Sequence, residues 1–541
     1  MSSVRKNLLL SILMFSATAL FAQDKINKWG VFEITLQGNN TGNPFIDTRL
    51  SAEFKHGDKI YRPEGFYDGD GIYKIRFMPN EEGIWTYTTS SNDKKLDQKK
   101  GEFICTAALA NVHGPVRVSR QYYFAYDDST NYTPFGTTIY EWSFRGQERR
   151  TQTIESLKSS PFNKARMLAI PPYKDIYING PGKLTLFPFV GTEKANFDFT
   201  RFNPEYFKVL EEDVKNLSDI GVEADLILFR PYDKGKWGFD TMTDSTNIMY
   251  LKYMVARFAA FHNIWWSMCN ENSFIKHLTD EDWDRYFQVV QKADPYDHLL
   301  SIHNADRIYD YTKPWVTHVS YQYYNAVKSP WGTSLLSDIY KKPIVNDEIN
   351  YEGNSTSRWG QLTGEEMTFR FWNAYIGCGF ATHGETTPTD WISGGGKLEG
   401  ESPARIAFLK KILADGPKEG LEPIDKYYTP NYAGKYGEYY LIYFGKKTPS
   451  EWIFKLPKSM LTAGMKFKAD IIDTWNMTIT PVEKTFEIQA LDNYSFVDKQ
   501  HQSISLPGKP YIALRIKRIG NETESQKVNK TKINELNEEM Q

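Results

Sequence analysis

Apolar and polar positions follow two different periods along this chain, and the change of period divides it into three regions. Residues 23–110 and 423–518 carry short runs in which apolar and polar residues alternate, separated by clusters of turn-forming residues. This period of two predicts half-buried strands, so each region is expected to form a β-sandwich, the first of roughly immunoglobulin type. Residues 119–416 instead alternate short apolar runs with segments whose apolar positions recur every three or four residues.

The central region is predicted to contain eight buried strands that alternate with amphipathic helices. The predicted strands cover residues 135–139, 165–170, 224–229, 264–269, 299–303, 316–321, 343–348 and 379–383. One helix is predicted to begin with Pro204 at its first position, and another at a capping box formed by Thr279 and Asp282. Eight such units in about 300 residues match the size and order of a (β/α)8 TIM barrel.

Both ends of the chain differ from these domains. Two basic residues precede an apolar run at residues 8–21, which is typical of a secretory signal covering residues 1–22, with cleavage near Ala22. The protein is therefore expected to be secreted or periplasmic. The run is too short to span a membrane comfortably, and no transmembrane segment is predicted in the mature chain. Residues 519–541 are polar and charged, which predicts a tail with little to bury.

The composition narrows the possible partners. The formal net charge is −2, so no global field attracts nucleic acid or an acidic membrane, and neither is predicted as a partner. The three cysteines are an odd number, far apart in sequence, and no C-x-x-C or H-E-x-x-H pattern occurs, so no metal or other cofactor is predicted. Aromatic residues make up 15% of the chain. They indicate either aromatic sandwich cores or a cleft lined with rings that stack on sugars.

Two of the predicted barrel strands end in a carboxylic acid. The run 264–269 leads directly to Asn270 and Glu271, and the run from residue 343 ends at Glu348. Active sites of TIM barrels lie at the carboxyl ends of the strands. A carboxylate in such a place is costly to desolvate, which favours a functional role. Two acids facing each other there suit cleavage of a glycosidic bond, in which one donates a proton and the other stays ionised.

These residues resemble a known group of enzymes. An Asn-Glu pair ending the fourth strand, with a Glu ending the seventh, is similar to the pattern of clan-A retaining glycoside hydrolases. Residues 342–348, 351–353 and 400–409 resemble the apiosidase-like barrel family, and the flanking sandwiches are similar to the accessory domains of such enzymes. The resemblance implies a retaining glycosidase whose partner is an oligosaccharide or polysaccharide of plant or microbial origin.

The resemblance also implies roles for individual residues. Glu271 maps onto the acid/base of the clan, Glu348 onto the nucleophile, and Asn270 onto the amide that contacts the sugar 2-hydroxyl. Arg166, on the second strand, maps onto the arginine beside the nucleophile. A salt bridge inside the barrel would explain Arg166 equally well.

Further candidates lie at the ends of predicted strands or shortly after them. Glu352 competes with Glu348 for the nucleophile role, but Glu348 is favoured because it directly ends its apolar run, and Glu352 is then expected to bind substrate. By the same resemblance, Tyr321 or Tyr323 is expected to hydrogen-bond the nucleophile. The remaining predicted substrate-binding residues are Tyr140, Trp142, Arg230, His303, Asn304, His383, Glu385 and Trp391. A purely structural role is the alternative for each of them.

Two other functions remain open from the sequence. A barrel that has lost catalysis could serve as a carbohydrate-binding protein, although a pure binder has no need of an ionisable pair. A transglycosylase would use the same two acids as a hydrolase and differ only in the acceptor.

Overall fold

A computed structural model describes residues 24–174, 183–192, 196–323, 327–386 and 390–520. The predicted signal peptide and residues 521–541 of the predicted tail lie outside the described residues. None of the helices in the described part of the chain is long and apolar enough to cross a membrane.

Eight parallel strands form the central barrel and are numbered β1 to β8 in chain order. They are Phe135–Thr138, Lys164–Leu168, Glu223–Phe229, Ile264–Cys269, Leu300–Ser301, Val319–Gln322, Ile344–Glu348 and Phe380–His383. In spatial order the strands pair as β5, β4, β3, β2, β1, β8, β7 and β6. A parallel bridge between His303 and Ser320 then joins the end of β5 to β6. Each strand lies on a predicted one, so the predicted TIM barrel is confirmed.

Seven helices, α1 to α7, cover the outside of the barrel. They are Gln147–Lys158, Pro204–Asp219, Asp244–Phe258, Asp280–Ala293, Pro330–Tyr340, Gly364–Ile376 and Ser402–Ala414. The predicted start at Pro204 and the capping box of Thr279 and Asp282 are both confirmed. No helix occurs between β5 and β6, where residues 302–318 are all described. The Tyr311 hydroxyl fastens that connection by hydrogen-bonding the carbonyl groups of Ile302 and Ser320. The short elements around the barrel are Pro44–Asp47, Trp142–Phe144, Phe189–Val190, Asp198–Phe202, Asn272–Phe274, Arg358–Gly360 and Trp391–Gly394.

A small antiparallel sheet closes the amino-terminal end of the barrel. Its strands are Val116–Ser119, Tyr123–Tyr126 and Asn131–Tyr132. The ring of Phe124 packs at 5.1 Å from Trp265 and 5.3 Å from Phe380, which stand near the beginnings of β4 and β8. This sheet therefore covers the end of the barrel at which the strands begin.

The amino-terminal region forms two facing sheets, as the period of two predicts. In spatial order the larger sheet contains Lys25–Asn27, Lys100–Thr106, Gly83–Ser91, Leu50–His56 and Lys59–Tyr61, and the smaller contains Phe32–Gln37, Ile72–Phe77 and Phe66–Tyr67. Phe32 stacks on Phe103 at 4.0 Å, and Phe54 stacks on Phe77 at 4.2 Å, each pair joining the two sheets. The immunoglobulin-like class of this region stays a prediction.

A buried ion-pair network attaches the amino-terminal sheets to the barrel. Arg257 of α3 donates to Glu211 of α2 at 2.6 Å and to Asp68 of the sandwich at 2.9 Å. Arg76 of the smaller sheet also donates to Glu211, at 3.0 Å. Both arginines are buried and paired. Separating the amino-terminal sheets from the barrel would therefore leave several charges exposed or without a partner, which is costly.

The carboxyl-terminal region is also β-rich and packs on the barrel. Its main sheet contains, in spatial order, Glu422–Pro423, Tyr432–Lys435, Tyr439–Gly445, Ile512–Ile519, Lys466–Asp473, Thr478–Ala490, Ser495–Asp498 and Lys455–Pro457. A two-stranded ribbon pairs Glu451–Ile453 with Ser503–Ser505. The ring of Trp372 on α6 lies 5.1 Å from that of Tyr443, and both are buried. This contact holds the helix after β7 against the carboxyl-terminal β-rich region.

Candidate active site

Glu271 stands where β4 ends, in an unusual backbone conformation. All six residues of β4 are buried, and Asn270 continues the strand pairing by donating its backbone N–H to the carbonyl of Phe229. Glu271 then adopts φ 50° and ψ 49°, the left-handed region, which costs a non-glycine residue about 1–2 kcal/mol. Its half-buried carboxylate accepts hydrogen bonds from the Tyr232 hydroxyl at 2.7 Å and from the Gln322 amide at 2.9 Å.

Glu348 ends β7 beside a local break in strand register. Tyr321 of β6 pairs with Asn346, but the next residue, Gln322, pairs with Glu348, so Asp347 is left over as a bulge. Successive side chains of a regular strand point to opposite faces, and a bulge re-aims them. As a result Asp347 and Glu348, although adjacent, both contact residues of the barrel interior or of its top.

The Glu348 carboxylate is nearly buried and closely surrounded by donors. It accepts a hydrogen bond from the Tyr140 hydroxyl and another, at 3.4 Å, from the side-chain amide of Asn270. The Tyr351 hydroxyl bonds it as well. Burial and the charge of Glu271 raise the pKa of the Glu348 carboxyl above its ordinary value. The hydroxyl of Tyr140 acts in the opposite direction because it stabilises the ionised form.

Asn270 connects the two acids. The Arg166 guanidinium donates to Asn270 Oδ1 at 2.6 Å, and because arginine only donates, this contact fixes which end of the amide is the oxygen. Asn270 Nδ2 therefore faces Tyr232, at 2.5 Å, and Glu348. Since Tyr232 in turn donates to Glu271, both carboxylates belong to one hydrogen-bonded cluster.

A compact charge network lies beneath this cluster. Lys164 Nζ is 2.6 Å from Asp225 and 2.7 Å from Asp347, and Arg166 is 3.0 Å from Asp347. All four side chains are almost fully buried. Burial works against the charged form of Asp347, but the two cations prevail and hold the pKa of its carboxyl far below the usual range. Two cations and two carboxylates balance, so Arg166 is held rigidly under Asn270.

His303 and Asn304 follow β5 and support the cluster from one side. Burial lowers the pKa of His303 well below its usual value, so the ring is neutral. Its Nε2 lies 3.6 Å from Glu348, and its Nδ1 lies 3.2 Å from the Ser320 hydroxyl. The Asn304 side chain bonds the backbone N–H and C=O of Gln322, each at 3.0 Å. Asn304 thus positions the residue that holds Glu271 and does not itself face the cluster.

Several predicted aromatic residues lie outside the cluster. Trp142 and Trp391 are fully buried, and Trp391 donates its indole N–H to Thr137 at 2.8 Å, so neither offers a ring face to a ligand. Tyr321 is buried on the face of β6 opposite to Gln322, which explains why it does not reach Glu348. Tyr323, directly after β6, is 54% exposed and can form part of the rim.

Arg230 is another predicted residue that the structure does not bring to the two acids. It is buried at the end of β3, donates to the backbone carbonyl of Pro171 and lies 3.7 Å from Asp233. Burial lowers the pKa of its guanidinium below the ordinary value, with Asp233 opposing that shift. Its contacts tie the loop after β2 to the loop after β3.

Glu352, His383 and Glu385 form a separate group near the start of α7. The Glu352 carboxylate accepts the backbone N–H groups of Glu401 at 2.6 Å and Ser402 at 3.1 Å. It therefore occupies the amino-terminal end of α7, where the helix dipole favours an anion. Of the two rival acids, Glu348 is the one bonded to Asn270.

Three residues of the cluster escaped the sequence reasoning. Tyr232 lies two residues after Arg230, Gln322 directly follows Tyr321, and Tyr351 follows Glu348 by three positions. Each occupies the same strand end as a residue that was chosen. Only Gln322 could have been found from the sequence. Side chains alternate along β6, so Gln322 lies on the same face as Ser320.

Three family models match parts of the chain. An apiosidase-like catalytic domain matches residues 176–386, which include both acids. Domains of unknown function, DUF5060 and DUF5605, match residues 25–92 and 428–517, within the two flanking β-rich regions. No curated protein matches the chain.

Solved structures extend the comparison to the whole chain. A candidate glycoside hydrolase of Bacteroides vulgatus is 39% identical and has a TM-score of 0.87. The match covers 92% of this chain and 100% of that protein. A family 5 glycoside hydrolase of the same organism shares 13% identity and a TM-score of 0.54, over 75% of this chain and 93% of its own, which is a likeness of fold alone. The chain therefore belongs to the glycoside hydrolases that have an apiosidase-like catalytic domain on a TIM barrel.

Proposed function

We propose that this glycoside hydrolase works with retention of configuration on plant or microbial polysaccharide fragments, with Glu271 as acid/base and Glu348 as nucleophile. The observation that carries the proposal is the single hydrogen-bonded cluster in which Asn270 bonds Glu348 directly and Glu271 through Tyr232. It lies at the open end of the barrel, where enzymes of this architecture bind substrates.

The surroundings of the two acids support different roles. Glu348 is nearly buried, with the hydroxyls of Tyr140 and Tyr351 and the amide of Asn270 directed at it, which favours a fixed carboxylate ready to attack. Glu271 is half-buried and has two donors, which suits a group that must exchange protons with a leaving group and with water.

The proposed mechanism requires that Glu271 carries a proton while Glu348 is ionised. The charge of Glu271 is one of the causes that raise the pKa of Glu348. When Glu271 holds the proton, that repulsion disappears and Glu348 ionises more readily. The pair then contains one general acid and one nucleophile at the same pH.

The reaction follows in two balanced steps. A Glu348 oxygen bonds to the anomeric carbon while the glycosidic C–O bond breaks and the leaving oxygen takes the proton of Glu271. Glu271, now ionised, then removes a proton from water, whose oxygen displaces Glu348 from the anomeric carbon. Asn270 Nδ2, oriented by Arg166, donates to Tyr232 and, at 3.4 Å, to Glu348, and a sugar hydroxyl beside this carbon would replace the longer contact with Glu348.

The test is kinetic and stereochemical. Glu348→Gln should reduce turnover by several orders of magnitude on every substrate, whereas Glu271→Gln should be partly rescued by aryl glycosides whose leaving groups need no protonation. Glu205→Gln, an exposed acid on α2, is the control and should behave as wild type. NMR of the first-formed sugar should show the substrate's anomeric configuration, and the inverted anomer would refute retention. Trials with added sugar acceptors separate hydrolysis from transfer.

We also propose that the protein acts outside the cytoplasm. The basic residues and apolar run before residue 22 support export. Mass spectrometry of the protein from its own cells should find a chain beginning near Gln23, and a chain that retains residue 1 would refute export by this route.

A further inference from the structure

A second group of ionisable side chains lies away from the two acids, where the ends of β7 and β8 meet the start of α7. It consists of Glu352, His383 and Glu385, which are all buried. The backbones of Glu352 and Glu385 form a parallel bridge. One ligand atom from each of the three side chains lies within 4.8 Å of the other two.

Four consecutive backbone N–H groups hold the two carboxylates. Those of Glu399 and Gly400 donate to Glu385 at 2.7 and 2.8 Å, and the two that follow donate to Glu352. Each of the four carboxylate oxygens accepts one of these hydrogen bonds and has a second lone pair for another contact. A Cβ atom at Gly400 would lie 2.3 Å from Glu385 Oε2 and 2.7 Å from Glu352 Oε2, so both oxygens converge on one glycine.

This pair of acids lacks a positive partner. In the described part of the chain, no lysine or arginine forms an ion pair with Glu352 or Glu385. Burial raises the pKa of Glu385 to about 7, and the charges of Glu352 and Glu399 act in the same direction. Two adjacent buried carboxylates with no lysine or arginine beside them form a favourable place for a cation from outside.

His383 points an unused nitrogen at the same place. The ring is fully buried, stacks on Phe162 at 4.7 Å and has its Nδ1 3.1 Å from the hydroxyl of Thr137. Its Nε2 has no hydrogen-bond partner and lies 3.8 Å from Glu385 Oε2. Burial lowers the pKa of this histidine to about 3, so the ring is neutral, the form in which imidazole binds metals. A fixed, neutral and unpartnered imidazole is a second sign of a ligand.

We propose that Glu352, His383 and Glu385 bind one divalent transition-metal ion, such as Zn²⁺ or Mn²⁺. Two carboxylate oxygens and one imidazole nitrogen suit these ions better than Ca²⁺ or Mg²⁺, which prefer oxygen alone. Ligand atoms 3.8 Å apart fit metal bonds of about 2.0–2.2 Å. The ion balances the charge of the carboxylates and ties the loop after β7 to the end of β8 and the start of α7.

The experiment measures metal on the full-length protein and is independent of glycosidase activity. Wild-type protein is stripped with a chelator, incubated with Zn²⁺ or Mn²⁺, passed through gel filtration and analysed by inductively coupled plasma mass spectrometry. One equivalent per chain is expected. His383→Gln and Glu385→Gln should each weaken metal binding by at least about 100-fold. Loss of a residue that only supports a metal ligand costs up to about 100-fold, so loss of a ligand itself should cost at least as much. His113→Gln removes a partly exposed histidine paired with Asp128 at 2.7 Å and should keep the full equivalent.

Wild-type protein alone also tests the site, should the variants fail to fold. Co²⁺ added to the stripped protein should give visible d–d bands, and Zn²⁺ should raise its melting temperature. The proposal is overturned if stripped wild type takes up no Zn²⁺ or Mn²⁺, or if folded His383→Gln and Glu385→Gln retain a full equivalent. Loss of the metal in His113→Gln, with retention in the other two, would assign it to the protein surface and overturn the proposal equally.

Discussion

The Tyr140 hydroxyl is the group expected to tune Glu348 most directly, and Tyr140→Phe removes it without changing the shape of the ring. A hydrogen bond to a charged group contributes about 1.5–3 kcal/mol, and one pKa unit corresponds to about 1.4 kcal/mol. The bond stabilises the ionised form, so its loss raises the pKa of Glu348. Because Tyr351 and Arg166 still act on the carboxylate, the lower part of that range applies, a rise of about one unit.

The direction of the effect on activity follows from the proposed role. A nucleophile must be ionised, so kcat/KM falls as the pH drops through the pKa of Glu348 in the free enzyme. Tyr140→Phe should move this acidic limb upward by about one pH unit. On the acidic side, kcat/KM should be about tenfold lower than in wild type, and the difference should shrink as the pH rises.

The assay is a pH profile of kcat/KM with an aryl glycoside or oligosaccharide that the wild type cleaves. Tyr321→Phe is the matched control, because it removes a tyrosine hydroxyl one residue before Gln322, on the outer face of β6. Its profile should overlay that of wild type. The reasoning fails if the acidic limb stays in place in Tyr140→Phe, or if Tyr321→Phe moves it by the same amount.

Three further changes test the surrounding structure. Gln322→Ala removes an amide donor from Glu271 and should lower kcat/KM about tenfold or more on substrates with poor leaving groups, and unchanged kinetics would refute its positioning role. Asp347→Asn leaves two buried cations short of a partner and should cost about 3–5 kcal/mol in urea unfolding. The control, Asp219→Asn at an exposed position, should cost under about 0.5 kcal/mol. An equal loss of stability in both variants would contradict the argument that burial makes Asp347 costly to replace. Trp372→Ala should cost about 3–5 kcal/mol because it removes a buried contact with the carboxyl-terminal β-rich region, and an unchanged melting temperature would show that this contact is not needed.

The barrel was predictable because its strands are buried on both faces. Short, predominantly apolar runs mark such strands, and the point where each run stops marks the end of the barrel at which active sites are built. Glu271 and Glu348 stood out for this reason. The absence of a helix between β5 and β6 had no comparable signal, because the connection is held by Tyr311 reaching two distant carbonyl groups.

The contacts of the site were less accessible to sequence reasoning. Tyr321 or Tyr323 was expected to bond Glu348, yet Tyr321 lies on the outer face of β6, and Tyr140, which follows β1, makes the contact instead. Which face a side chain takes depends on strand pairing, and one unpaired residue changes it. The aromatic residues pose a similar problem, since composition alone does not separate a ring in a cleft from buried rings such as Trp142 and Trp391.

The bulge in β7 explains how two adjacent acids acquire separate tasks. In a regular strand, only one of Asp347 and Glu348 could face the barrel axis. With Asp347 unpaired, it can hold Lys164 and Arg166 in the interior while Glu348 is aimed at the top. Arg166 in turn fixes the amide of Asn270, which contacts Glu348. The charge network therefore helps to orient Glu348, the proposed nucleophile. A substitution in it should reduce kcat even where the variant remains folded and no residue near the substrate has changed.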